Sequence, residues 1–155
     1  MDLQKRKKKS ALFHLIGFVY ALIVVFFLFT LKQWELKRYL NSLPSGEKGG
    51  LGFLSLVYVL FGIIAAIPLV VGGVLMFLGG LGLLHSPVEK SGRGFLILGS
   101  IGKIVAVLAI VFFTIVVSGT ELPKHLSEVV YILFAVQFTA LAVFDFLSLK
   151  HFRVE

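Results

Sequence analysis

The 24 residues from Gly94 to Val117 read GFLILGSIGKIVAVLAIVFFTIVV, and a single charge, Lys103, stands among them. A helix drawn through this stretch is apolar on every side, whereas the helix of a soluble domain keeps a polar face. About 20 mostly apolar residues are enough to cross the hydrocarbon of a bilayer. The stretch is therefore predicted to span a membrane.

Three more stretches have the same character: Ala11–Leu31, Leu51–Leu84 and Leu126–Leu149, of 21, 34 and 24 residues. The four together hold 103 of the 155 residues but only three charges, Lys103, Glu128 and Asp145. The other 52 residues carry 20 of the 23 charges. Backbone polar groups in hydrocarbon must be satisfied internally, which leaves helices or closed barrels. Barrel strands alternate in polarity, and runs such as Leu22–Phe29 do not. The expected fold is an all-α integral membrane protein, with four transmembrane helices in a compact bundle joined by short loops. One four-span domain covers residues 1–155.

Composition agrees. The chain is 58% apolar, with a mean hydropathy of +1.00, beyond what a soluble or disordered chain carries. It has no cysteine, which excludes a disulfide scaffold, a thiolate metal site and a cysteine nucleophile.

Span limits follow from charge and from Gly and Pro. The first is about 11–31. Its leader, Lys5-Arg6-Lys7-Lys8-Lys9, suggests a signal peptide, but the apolar run is too long and no small-residue cleavage site follows. We read it as an uncleaved span after a cytoplasmic basic leader, residues 1–10. The second apolar stretch exceeds a membrane thickness and has no polar turn at its middle. One span near 54–77 is expected, kinked at Pro68, with Gly79-Gly80-Leu81-Gly82 as a frayed or interfacial end. The remaining spans are 94–117 and 126–149. Between the first two, Leu36, Leu40 and Leu43 recur at helical spacing beside Trp34 and Tyr39. This suits either an interfacial helix or the snorkelling end of the first span.

Counting Lys and Arg in the flanks gives nine on the side of the termini and five on the other. The positive-inside rule then places both termini in the cytoplasm. The leader reads as a contact for anionic lipids through Lys5, Arg6, Lys7, Lys8 and Lys9. Because it joins a span directly, it does not read as a nucleic-acid site.

Helices in lipid associate where small residues let backbones approach. Small residues recur at steps of three and four on three spans. The seam is Gly62, Ala66, Gly73 and Gly80 on the second, Gly99, Gly102, Ala106 and Ala109 on the third, and Ala135 and Ala142 on the fourth. The first span offers only Gly17 and Ala21, so it is expected to pack peripherally.

Two residues stand out chemically. Lys103 lies nine residues after Gly94, about 13 Å along the helix. Asp145 lies five residues before Lys150, about 7 Å from the same edge. Side chains lean toward the N-terminus of their helix. The two spans run in opposite directions, so the side chains converge in depth. An intramembrane ion pair is the expectation, against separate snorkelling of each charge.

His14, His85, His125 and His151 fall near predicted membrane edges without metal-ligand spacing, and read as interfacial polar residues. Gln137 is mid-span and suited to an interhelical hydrogen bond. No catalytic, cofactor or metal constellation is readable. The layout resembles that of many small multi-pass proteins, small multidrug transporters and tetraspan scaffolds among them, in architecture alone. Two functions fit. One is a non-enzymatic membrane protein acting through helix–helix contacts, with itself or with a membrane-protein partner. The other is a small transporter or channel subunit using Lys103 and Asp145.

Overall fold

The computed structural model describes residues 3–46, 48–85, 89–118 and 126–150. It is helical almost throughout, with no strand among these residues. Five helices follow in order: α1 (Leu3–Phe29), α2 (Leu31–Ser42), α3 (Lys48–His85), α4 (Glu89–Ser118) and α5 (Leu126–Leu149). Four of them contain segments long and apolar enough to cross a membrane: Gln4–Phe29, Val59–His85, Gly92–Val116 and Val129–Leu149.

The fifth helix, α2, is an addition to the four expected. Thr30 alone separates it from α1. The Thr30 hydroxyl donates to the Phe26 carbonyl at 2.7 Å, and the Trp34 amide donates to the Thr30 carbonyl at 2.9 Å. Hydrogen bonding thus carries on across the break. α2 ends where Leu43 turns extended, at φ −88° and ψ 149°, as the residue before Pro44 must. Its apolar side is docked: Leu36 is buried in the core and Leu40 packs against it. Trp34 faces outward with Arg38 over its ring at 5.5 Å, a cation–π contact.

α3 corrects the reading of the second stretch. It is one helix of 38 residues with Pro68 inside it, about 57 Å long at the standard rise. The Gly79–Gly82 segment is regular helix and is packed. A Cβ at Gly79 would lie 2.8 Å from the Phe95 carbonyl oxygen, and one at Gly80 3.0 Å from Leu15. Close packing against two neighbours holds in place a glycine-rich turn that would fray alone.

Contacts between named residues fix the directions. Gly72 lies against Gly102, and Gly79 against Phe95 and Gly99, so α3 and α4 are antiparallel. Gly73 meets Ala21 and Phe18, and Gly80 meets Leu15 and Ala11, so α1 and α3 are antiparallel as well. On α5, Asp145 lies beside Ser100 and Tyr131 beside Phe113 of α4, again antiparallel. Tyr20 of α1 closes the circuit through edge contacts with Phe134 and Phe138 of α5.

This arrangement also corrects the expected peripheral place of α1. The buried share of the apolar segment is 28% for α1, 39% for α3 and α4, and 17% for α5. α5 is therefore the outermost of the four. α1 enters the core through one stripe, Ala11, His14, Gly17, Ala21, Val24 and Leu28, at steps of three and four. Three of its members, Ala11, Gly17 and Ala21, are small enough for close approach. His14 reaches Gly99 of α4, and Val24 and Leu28 belong to the apolar core.

Candidate functional site

The polar residues at the centre of this apolar molecule come from three helices. Lys103 of α4 and Asp145 of α5 have no exposed surface, and the Lys103 ammonium donates to Asp145 Oδ2. The same oxygen is 3.3 Å from the Ser100 hydroxyl and 3.6 Å from His14 Nδ1. Ser100 Oγ is also 2.8 Å from the Leu96 carbonyl. Its single proton can serve only one of these acceptors at a time. Ser10 and Ser148 are buried as well. Ser148 donates to the Phe144 carbonyl at 2.9 Å.

Glycines make room for the two largest polar side chains. The Lys103 arm passes Gly17 of α1, where a Cβ would lie 3.7 Å from Cε. The imidazole of His14 fills the space that a Cβ on Gly99 would need. Gly17 and Gly99 are therefore sockets as well as points of backbone approach. A lysine buried among apolar helices is costly when unpaired. Pairing with a carboxylate and surrounding both with polar atoms offsets the desolvation of each.

Satisfaction is uneven within the cluster. Asp145 Oδ2 has several polar neighbours, whereas Oδ1 makes no hydrogen bond. Ser10 Oγ and both His14 ring nitrogens are also buried without a hydrogen bond, although the ring lies near the Phe95 and Leu96 backbone of α4. Buried polar groups are almost always bonded, and these four atoms are exceptions among the described residues.

The small-residue seam divides by partner. Gly73 and Gly80 face α1, while Gly99 and Gly102 face α3, with Gly99 also against His14. Ala66, Ala106 and Ala109 are buried. Ala135 and Ala142 are only partly buried, on the sparsely packed α5. Gly62 has no neighbouring atom within 4 Å of a Cβ, so no second helix approaches closely there. Two glycines of the closest contact, Gly72 and Gly79, lie off the seam drawn from sequence. They follow Ala65 at steps of seven, a repeat that marks them out in retrospect.

His14 corrects another reading. It lies in the interior with its side chain fully buried, and is not an interfacial residue. Its spacing from Gly17 and Ala21 places it on the packed stripe. His85, by contrast, is exposed and bonds the Leu81 carbonyl at 2.9 Å. His125 and His151 lie outside the described residues. Gln137 is on the exposed face of α5 and makes no hydrogen bond across helices among the described residues. In the leader, Lys5, Lys8 and Lys9 are exposed, and Arg6 and Lys7 half-buried, on the first turns of α1.

Lys103, Asp145 and His14 line none of three cavities at the surface. One, about 650 Å³, is an apolar groove between α4 and α5 walled by Ile110, Thr114, Ala135, Thr139 and neighbours. Another, about 450 Å³, is lined by Arg93, Phe146, Leu149 and Lys150. A third lies at Trp34, Lys37, Arg38 and Asn41. Among the described residues no cluster of His, Cys, Asp and Glu could hold a metal ion. No protein-family model matches the chain, nor does any curated protein or solved structure.

Proposed function

We propose that the protein is a four-span membrane bundle, with both termini in the cytoplasm, that acts without catalysis through contacts with a second copy or a membrane-protein partner. The observation that supports this best is the enclosure of its charges. Lys103 and Asp145 are bonded to each other and have no exposed surface. A carrier needs its ionisable groups within reach of an aqueous path. A charge pair sealed between helices instead fixes their register and leaves the outer faces to interact. Those faces are apolar, and α5, the least buried span, offers most of its surface outward. The basic leader adds a contact for anionic lipid headgroups.

A second reading, a small transporter or channel subunit, draws on the buried groups without hydrogen bonds at His14, Ser10 and Asp145. Two measurements decide between the readings. In proteoliposomes with an imposed proton or cation gradient, the first expects no flux above empty vesicles. Flux that is lost in Asp145→Asn would establish the second. In native membranes, a photo-crosslinking residue at exposed Val136 of α5 should give one discrete adduct, with this chain or another. No adduct at Val136, or at Leu108 on α4, would refute action by contact.

A further inference from the structure

We propose that the end of the α4–α5 crevice holds the phosphate of an anionic phospholipid between Arg93 and Lys150, with an acyl chain lying along Phe146 and Leu149. The proposal rests on the membrane-spanning reading and adds a ligand and a site to it.

The antiparallel pairing brings the start of α4 beside the end of α5. Arg93 precedes Lys103 by ten residues, and Lys150 follows Asp145 by five. The contact of Lys103 with Asp145 therefore puts Arg93 and Lys150 beyond the same side of the pair. They wall one cavity of about 450 Å³ together with Phe146 and Leu149. Both cations are exposed, and neither is ion-paired or hydrogen-bonded among the described residues. Asp145, five residues before Lys150, is buried and bonded to Lys103. Two cations thus share one mouth.

An anion seated there would answer both. Arginine presents a planar fork suited to phosphate oxygens, and lysine a point charge. The wall between them is apolar, with Phe146 72% exposed, so the site has a charged rim and a greasy floor. A free phosphate would use only the rim. A phospholipid uses both, because the floor continues into the outward faces of Phe146 and Leu147. Basic pockets between spanning helices hold acidic headgroups for this reason. The site is distinct from the leader, whose cations lie on α1.

The test is native mass spectrometry of the full chain in detergent, titrated with dioleoylphosphatidylglycerol or dioleoylphosphatidylcholine. The expected result is one tightly held phosphatidylglycerol. Arg93→Gln or Lys150→Gln should each weaken it about fivefold, the worth of one cation at a charged headgroup. A Lys5→Gln, Lys8→Gln, Lys9→Gln variant should retain it. Equal binding of the two lipids, or undiminished binding by the Arg93→Gln, Lys150→Gln double variant, would overturn the proposal. Displacement of the lipid by millimolar inorganic phosphate would assign the site to a soluble anion and also overturn it. Failure of the spanning reading is seen separately, as release of the chain from membranes by alkaline carbonate.

Discussion

A methyl group added to Gly72 tests the close approach of the α3 and α4 backbones. The new Cβ would lie 2.6 Å from the Gly102 carbonyl oxygen and 3.4 Å from the Ala106 nitrogen. To relax the first distance to ordinary contact the two backbones must part by about 0.8 Å, enough to forfeit a quarter to a half of each dispersion well along the seam. Overpacking of this kind costs about 1–3 kcal/mol. Alanine also raises helix propensity over glycine by about 1 kcal/mol, which masks part of the loss. Gly62→Ala supplies the correction, because it lies on the same helix with no atom within 4 Å of its Cβ. The propensity gain is common to both variants and cancels in their difference. Gly72→Ala should therefore be about 1–3 kcal/mol less stable than Gly62→Ala. Reversible unfolding in mixed micelles, followed by circular dichroism, measures the difference. If the two variants agree to within about 0.5 kcal/mol, the α3–α4 backbones are not held at this distance.

The central charges give a second prediction. Lys103→Met or Asp145→Leu alone should destabilise by about 3–5 kcal/mol, and the double variant by much less than their sum; additive losses in the same unfolding assay would show that the two charges act independently. Topology gives a third. Ser45 is exposed in the turn after α2, and Ser45→Cys in this cysteine-free chain should react with impermeant maleimide only from the non-cytoplasmic side. Labelling from the cytoplasm would reverse the orientation.

The helical class was legible because charge is excluded from four long stretches, and no tertiary information is needed to see that. The convergence of Lys103 and Asp145 also follows from local geometry, namely depth and the lean of side chains on opposed helices. What escaped notice depends on which helix touches which. α3 lies between two partners and so needs two small faces. Gly73 and Gly80 serve α1, while Gly72 and Gly79 serve α4, yet a single seam was traced through it. Distance from the predicted membrane edge alone marks His14 as interfacial. Its position on the α1 stripe, three residues before Gly17 and seven before Ala21, carried the better information. Ser100 carries no charge that would mark it in an apolar span, so its approach to Asp145 shows only once Asp145 is placed beside Lys103. α2 remained ambiguous because it continues α1 across one residue, and hydropathy alone does not register so slight a break.

The separation of Lys103 from Asp145 along the chain has a consequence for biosynthesis. The two positions are 42 residues apart, and a ribosome adds about 5–20 residues each second. For about 2–8 s, therefore, Lys103 exists while its counter-charge has yet to be made. Until α5 is made, Lys103 cannot take the buried, paired position it holds in the finished fold. A chain stopped short of α5 would hold a lysine with no counter-charge, so the order of synthesis makes α5 the element that closes the interior.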